Sequence, residues 1–405
     1  MSRAMKDSGV PWLTDIPAAW NVERGKAILT LQKRPVREED EVITCFRDGE
    51  VVLRSERRTE GFTMSDKEIG YQGINKGDIV IHGMDGFAGA MGVSKSRGKG
   101  SPVLVVCTPK YDAVPQFIIY YLRALAMTNV FVALATGIRE RSCDLRWNKI
   151  AELDFILPPA AEQQAIADFL DKKCSEIDEM VSLQEKIVEE LKAYKQSVIT
   201  EAVCKGLNPN APMKDSGIEW VESIPRHWEV KKVKYLANTI TKGNGITKEE
   251  VFVNGDTPCV RYGEIYSKYV ISFKTCISAT NIAIQSVPRY FEKGDILCAG
   301  TGELVEEIGK SIVYLGEERC LAGGDIIVIK HNQNPLFLSF ALNSNYAQTQ
   351  KSKGKAKLKV VHISAGEIGN VIIALPSLKE QSFIVNHLDR QCAHIDNIID
   401  KTKTS

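Results

Sequence analysis

The chain has 405 residues, 44% hydrophobic and 25% charged, with 52 Lys+Arg against 51 Asp+Glu and a formal net charge of +1. That length has room for two or three domains with cores of their own, and the near-zero charge excludes a wholly basic nucleic-acid coat while leaving local patches open. Ten scattered cysteines without a C-x-x-C, no apolar run of membrane-spanning length and no apolar N-terminal signal region predict a reduced, cytoplasmic protein without a cysteine-held metal.

In chain order, Met5 to Lys26 carries Trp12 and Trp20 around Ile16-Pro17 and reads as a short docking segment packed by its indoles. From Ala27 to Pro159 runs a first variable region. Its strand-like runs are Glu50–Leu53, Asp78–Ile81 and Pro102–Val106, and Phe117, Ile118, Tyr121, Leu122 and Leu125 predict a helix over 114–126. From Ala160 to Lys205 no Pro or Gly interrupts the chain. Leu170, Ile177, Leu191 and Val198 share one seven-residue phase; Met180, Ile187 and Tyr194 lie three residues on. This is an apolar stripe on one long helix that needs a partner helix along it; the plainer reading is a long core helix. Gly206 to Pro212 ends the helix as a linker. The second variable region, Tyr235 to Ala374, predicts strands over 258–262, 295–298, 311–314 and 325–330 and a helix over 335–343. A last helix begins near Leu378, with Ile384, Leu388, Ile395 and Ile398 at helical spacing.

Two internal repeats organise these elements. Leu157-Pro158, Glu162-Gln163, Leu170-Asp171, Cys174 and Ile177-Asp178 return 218 residues later, and 10 of the 25 positions from Leu157 to Val181 are identical. Met5-Lys6-Asp7-Ser8-Gly9, Trp12, Ile16-Pro17, Trp20, Val22 and Lys26 return 208 residues later, with 11 of 22 positions identical. So long a period excludes a solenoid and indicates a duplicated domain plus helix. Lys76-Gly77-Asp78-Ile79 and Lys293-Gly294-Asp295-Ile296 look like one strand entry in both copies, the Asp capping a tight turn that the Gly permits. Because the last helix stops about 20 residues before its counterpart, half of the first helix's stripe, Ile187 to Val198, is expected to be left for another subunit or the N-terminal block.

No catalytic constellation is legible. Gly83, Gly86, Gly89 and Gly92 lack the dinucleotide form and suit turns and close packing. Six residues, not four, separate Gly302 from Gly309-Lys310-Ser311, so a phosphate loop is misplaced. Trp228-Glu229-Val230-Lys231 has Asn21 where the first copy would need the carboxylate. The six histidines form no hydrolytic pattern, and no methyl-donor site or base-flipping Asn/Asp-Pro-Pro-aromatic motif is present. Basic patches are more informative. Gly86 to Tyr111 has no acid but holds Lys95, Arg97, Lys99 and Lys110, and Arg139, Arg141 and Arg146 follow. In the second copy Lys351, Lys353, Lys355, Lys357 and Lys359 alternate, and if extended would aim to one side. A solvated lysine-rich loop is the plain reading and phosphate contact the other, with the guanidinium forks of Arg139 and Arg141 suited to guanine edges.

The duplicated Leu-Pro-(x)3-Glu-Gln helix openings, the twin Lys-Gly-Asp-Ile entries and the repeated Asp-Ser-Gly…Trp…Ile-Pro…Trp segments together resemble the specificity (S) subunit of Type I restriction-modification systems over nearly the whole chain. Arg47-Asp48-Gly49, Gly61-Phe62-Thr63, Met84-Asp85 and Gly137 to Arg141 are also similar to that family. The resemblance implies an α+β chain: two β-rich α/β target recognition domains separated by an antiparallel, coiled-coil-like pair of long conserved helices, with an internal pseudo-two-fold repeat. Its parts would be 1–159 (first recognition domain with the N-terminal segment), 160–206 (central spacer helix), 207–376 (linker and second recognition domain) and 377–405 (short C-terminal helix). It implies a non-enzymatic subunit that reads an asymmetric bipartite site in double-stranded DNA. Two methyltransferase subunits and restriction/translocase subunits would be its partners, with S-adenosylmethionine on the methyltransferase and neither cofactor nor metal on this chain. The expected DNA contacts are Arg139, Arg141, Arg146, Lys95, Arg97 and Lys99 in the first domain and Lys353, Lys355, Lys357 and Arg261 in the second. Leu170, Ile177, Ile187, Leu191, Tyr194, Val198 and Ile395 are the expected partner-binding residues. A two-domain protein-interaction scaffold is the alternative, separated by salt-dependent binding to duplex DNA; an enzyme with an unfamiliar site is a third.

Overall fold

The computed structural model describes residues 3–57, 69–134, 144–219, 221–243, 245–252, 254–284, 288–355 and 360–404. They form two compact units, Met1–Met180 and Val181–Ser405.

In the first unit an antiparallel sheet runs in the order Leu29–Leu31, Leu104–Pro109, Ile79–His82, Met91–Val93. Period-two alternation decides its two faces. Ile79, Ile81, Val105 and Cys107 join the cluster beneath helix Pro115–Met127, built on Ile118, Leu122 and Leu125. Their neighbours Val80, Leu104 and Val106 pack on the other face against Ile43, Val51 and Ile74. Strands Asn21–Arg24 and Asp154–Leu157 pair and bring the start and end of the unit's core together.

The second unit repeats the plan with a larger sheet. Its order is Ala237–Lys242, Ile326–His331, Ile296–Ala299, Ser311–Tyr314, Ser272–Phe273. Again alternate residues separate, Ile296, Cys298, Val313, Ile327 and Ile329 toward helix Pro335–Leu342 and Leu297, Ala299, Ile312, Tyr314 and Val328 toward an aromatic cluster of Tyr269, Phe273 and Phe291. A four-stranded sheet, Ser278–Thr280, Thr257–Val260, Cys320–Ala322, Tyr290–Phe291, stands beside that sheet, where the described residues of the first unit form only two-stranded sheets besides the main one. The strands and helices expected from the sequence stand within a few residues of their places.

The central helix, Ala160–Lys205, has 46 residues, on the order of 69 Å of rise. The C-terminal helix is Leu378–Thr404. Inside the second unit they pack antiparallel. Val188 and Leu191 meet Ile395 and Ile399, Lys195 Nζ reaches both oxygens of Asp396 at 2.7 Å, and Ile199, Ala202 and Val203 share a core with Ile384, Leu388 and Cys392. This corrects the expected division of the stripe. The shorter helix covers the second half, so Val188, Leu191, Val198 and Ile199 are partnered within the chain, while Phe169, Ile177, Met180 and Val181 in and near the first half are exposed. Two residues of the second half, Ile187 and Tyr194, remain exposed on another side of the helix.

Candidate nucleic-acid interface

The repeated motifs are the frame that holds each β-core. Gln163 is buried; its Oε1 accepts from the backbone N–H of Val114, at the start of helix Pro115–Met127, at 2.9 Å, and its Nε2 donates to the Pro158 carbonyl at 2.8 Å. Gln381 does the same, accepting from Asn334 N at 2.9 Å, at the start of helix Pro335–Leu342, and donating to the Pro376 carbonyl at 3.0 Å. The preceding glutamates tie in the hairpin segments. Glu162 accepts from the Trp20 indole at 3.0 Å and from Arg3, which hold its carboxyl below the usual range, and Glu380 meets His227 at 2.9 Å. The indole of Trp20 therefore docks by hydrogen bonding, while Trp12 packs on the first core; Trp220 lies outside the described residues. Sequence reading took Glu-Gln as a helical start and missed the latch, although its recurrence at one offset was the signal.

The other repeats have equally local causes. Asp7 and Asp215 accept from the N–H of Gly9 and Gly217 at 2.9 Å, and both glycines have positive φ, so the two hairpins close with the same register. Asp78 and Asp295 accept from Asn75 N at 2.7 Å and Glu292 N at 2.8 Å across turns whose glycines, Gly77 and Gly294, lie at φ of 89° and 91°. The capped-turn expectation holds at both strand entries.

The candidate DNA contacts divide by what holds them. Arg97 is structural: its guanidinium bonds the buried Asp40 at two points, 3.1 Å each, and also Asn75. Burial pushes the Asp40 carboxyl up, but the Arg37 amide and Arg97 outweigh it and hold it below the usual carboxylate range. Lys95 sits at the surface, 2.7 Å from Glu50, which also pairs with Arg57. Arg146 is 78% exposed and 3.1 Å from Asp144. Lys99 lies on strand Gly98–Gly100, opposite Gly73. Arg139 and Arg141, with the Gly61 to Thr63 and Gly137 to Arg141 stretches, lie outside the described residues.

In the second unit the alternating lysines are not on one extended edge. Asn345–Ser352 is helical, and Gly354, at φ 74°, turns the chain. Lys351 is buried against the sheet with its Nζ donating to the Gly309 carbonyl at 2.8 Å, and burial brings its pKa down to about 8. Lys355 is only 12% exposed and donates to Glu367 at 2.8 Å and to the His362 carbonyl at 2.6 Å. Burial pushes the Glu367 carboxyl up, but Lys355 and Ser364 outweigh it and bring its pKa to about 2. Lys353 is exposed, 2.8 Å from Glu219. Lys357 and Lys359 lie outside the described residues. Arg261 stands at the start of helix Tyr262–Ser267 with Nε 3.5 Å from the buried Glu264. Arg97, Lys355 and Arg261 are thus framework rather than free contacts. An exposed ion pair contributes about 0–1 kcal/mol and is easily exchanged for a phosphate, whereas breaking a buried one costs about 3–5 kcal/mol.

The glycine cluster serves packing. A Cβ on Gly92 would lie 2.0 Å from the Gly49 carbonyl, and one on Gly86 would meet Leu145 at 2.7 Å. Lys310, the lysine of the apparent phosphate loop, is half-buried and donates to the Tyr269 carbonyl at 2.8 Å. Among the described residues no group of three His, Cys, Asp or Glu side chains is placed to hold a metal, and no helix is long and apolar enough to cross a membrane. Of the expected partner residues, Ile395 is buried against Val188, Leu191, Val198 and Leu170 are partly covered, and Ile177, Ile187 and Tyr194 are exposed.

Residues 225–404 match the family model described as Type I restriction modification DNA specificity domain. The chain is 21% identical to the Type I restriction enzyme EcoKI specificity subunit of Escherichia coli K12, covering 95% of this chain and 84% of that one. It is 25% identical to the Type I restriction enzyme MjaVIII specificity subunit of Methanocaldococcus jannaschii, covering 95% and 88%. In fold it is similar to a chain from a structural study of complex assembly and conformational transition of the type I R-M system, at TM-score 0.68, 15% identity and coverage of 96% and 94%. It is also similar to the HsdS subunit from Thermoanaerobacter tengcongensis, at TM-score 0.53, 16% identity and coverage of 96% and 92%. The latched frame, its duplication and these relatives agree: residues 225–404 carry a Type I restriction modification DNA specificity domain, and the chain over nearly its whole length is similar to the specificity subunits of Type I restriction-modification systems.

Proposed function

We propose that each unit's β-core reads one half of an asymmetric bipartite site in duplex DNA, and that the helices set the spacing between the halves. One observation carries this. The same latch, hairpin and capped strand entry hold two cores that differ in sheet size. Identical heads would suit a palindrome; unlike heads on a repeated frame suit two different half-sites. Arg146, Lys95 and Lys99 with Arg139 and Arg141, and Lys353 with Lys357, are the proposed contacts. The exposed Ile187 and Tyr194 are proposed to dock methyltransferase subunits, which hold S-adenosylmethionine and perform the chemistry, with restriction/translocase subunits recruited to that complex. The chain itself is proposed to be non-catalytic.

Single-molecule methylome sequencing of cells carrying this chain and its methyltransferase tests the reading. The expected result is one bipartite motif, of which one half changes when residues 27–156 are exchanged for another recognition domain. A motif unchanged by that exchange would sink it. A chain whose assembled complex binds duplex DNA without salt dependence or sequence preference is instead a protein-interaction scaffold.

A further inference from the structure

The strand entry that both units share leads into loops that differ. Lys76-Gly77-Asp78-Ile79 returns 217 residues later, and the same offset brings Gly83 onto Gly300. There the two part. Thr301 is buried, its Oγ1 3.1 Å from His362 Nδ1, whereas its counterpart Met84 is 62% exposed. Met84 stands between two arginines, each held by one acid. On one side Asp85 accepts from Arg47 Nη2 at 2.8 Å. On the other, a Cβ on Gly83 would lie 3.9 Å from Arg146 Cγ, and Arg146 Nε is 3.1 Å from Asp144. Both guanidinium groups face water, Arg47 at 67% exposure.

The floor beneath them is pinned. The Gly83 carbonyl accepts from Leu145 N at 2.8 Å, and the Asp85 N–H donates to His82 Nδ1 at 3.0 Å. Burial, outweighing the nearby Asp85, lowers the His82 pKa and keeps that imidazole neutral and able to accept. Gly89, at φ 90°, lets the chain pass under Arg47, whose carbonyl would lie 2.7 Å from a Cβ there.

We propose that Arg47 reads a guanine edge, and Met84 the apolar edge of a neighbouring base pair, in the half-site bound by the first unit; this deepens the DNA reading above and rests on it. Asp85 engages one amino group of the Arg47 fork and fixes its plane, leaving the other donors for O6 and N7 of guanine. Met84 brings an unbranched, adaptable apolar side chain that suits a thymine methyl. Gly83 to Asp85 spans at most about 7 Å, two steps of about 3.4 Å along a strand, so Arg47, Met84 and Arg146 are spaced for successive base pairs. A planar fork on a pinned loop selects one base, where a lysine on a solvated loop serves any phosphate.

The test uses the assembled complex of this chain with its methyltransferase, read by single-molecule methylome sequencing and by selection from randomised duplex DNA. Arg47→Ala is expected to reduce the preference at one G·C position about fivefold or more, in the half-site that exchange of residues 27–156 changes, and to leave the other half-site as it was. Arg47→Gln should shift that position from guanine toward adenine, an outcome that a purely structural role would not produce. Met84→Ala should relax a neighbouring position, and Asp85→Asn the Arg47 position by a smaller factor. An unchanged motif in both Arg47 variants, while the exchange still alters one half, would overturn the assignment and leave the DNA reading standing. Uniform weakening across all sequences, with the salt slope lower by about one, would make Arg47 a phosphate contact and also overturn it. An exchange that alters neither half would remove the DNA reading and this inference together.

Discussion

Replacing Gln381 by Leu tests the latch at its centre. Gln and Leu have nearly equal helix propensity, so the change leaves the helix itself almost untouched. What it removes is specific. Asn334 N loses its acceptor at 2.9 Å, the Pro376 carbonyl loses its donor at 3.0 Å, and Gln333 Oε1 loses a third bond at 2.9 Å. Gln381 is fully buried, and Pro376 is buried beside it. A buried polar group left unsatisfied costs about 1–3 kcal/mol. Asn334 is only half-buried and recovers part of its loss from water, so the sum for the site is about 2–4 kcal/mol. Urea unfolding of the full chain, followed by tryptophan fluorescence and fitted with one transition per unit, should show that loss in the transition to which Trp228 belongs. Gln163→Leu should act in the same way on the other transition, through Val114 N and the Pro158 carbonyl. A change below about 0.5 kcal/mol in both variants, the size of an ordinary surface substitution, would refute the latch.

Three further outcomes are expected. Lys351 has its pKa lowered by burial from 10.5 to about 8, so the unfolded chain binds the extra proton between those values and stability rises with pH across that window. Below about pH 8 the burial penalty is on the order of 3 kcal/mol. Lys351→Met should therefore stabilise the second unit by about 1–3 kcal/mol at pH 7 and flatten that rise in urea titrations, since Ser311 still donates to the Gly309 carbonyl. Arg97→Met should cost the first unit about 3–5 kcal/mol by stranding Asp40. In the native chain the Asp40 contribution is fully present above the unfolded carboxylate value and is lost as pH falls through the depressed folded one, so acid unfolding followed by circular dichroism should begin at higher pH in the variant. Arg139→Ala should lower duplex affinity of the assembled complex by about 1–3 kcal/mol and relax one half-site alone, read by methylome sequencing.

The turns and strands of the frame were legible in the sequence because their causes are local, whereas the latches of Gln163 to Val114 and Gln381 to Asn334 were not. Glycines at positive φ, Asp-capped turns and period-two burial each involve residues within a few positions of one another, and the repeat printed them twice. The long helix was legible for the same reason: nothing in Ala160–Lys205 breaks it. Long-range partners were not legible. Arg97 read as a base contact because no acid lies between Gly86 and Tyr111, yet its carboxylate is Asp40, on a distant stretch of chain. The alternating lysines would have shared one side only if extended, but alternation among Lys, Ser, Gly and Ala carries no burial signal, and Asn345–Ser352 is helical and followed by a turn at Gly354. A seven-residue stripe likewise records that a partner exists without recording which half it covers, so the covered half was misassigned.

The near-neutral charge acquires a physical meaning from the ion pairs. At the surface Lys95, Arg146 and Lys353 each face a carboxylate, from Glu50, Asp144 and Glu219. Against a random duplex those acids remain close to the phosphates and oppose binding, which lowers the sequence-independent part of the affinity that basic residues alone would supply. If these cations are the proposed contacts, each can leave its acid at the correct half-site, because an exposed pair holds it by about 0–1 kcal/mol and a good bidentate base contact returns about 1–3 kcal/mol. On the proposed reading the balance is unfavourable to a cation paired with a buried acid, so Arg97, held by Asp40, would stay fixed in both situations. Discrimination is a difference of affinities, and on this reading a chain with 52 basic against 51 acidic residues raises that difference by weakening the wrong complex. Removing an acid should therefore act opposite to removing a base: Glu50→Gln tightens binding to unrelated duplex more than to the target, and the ratio between the two falls.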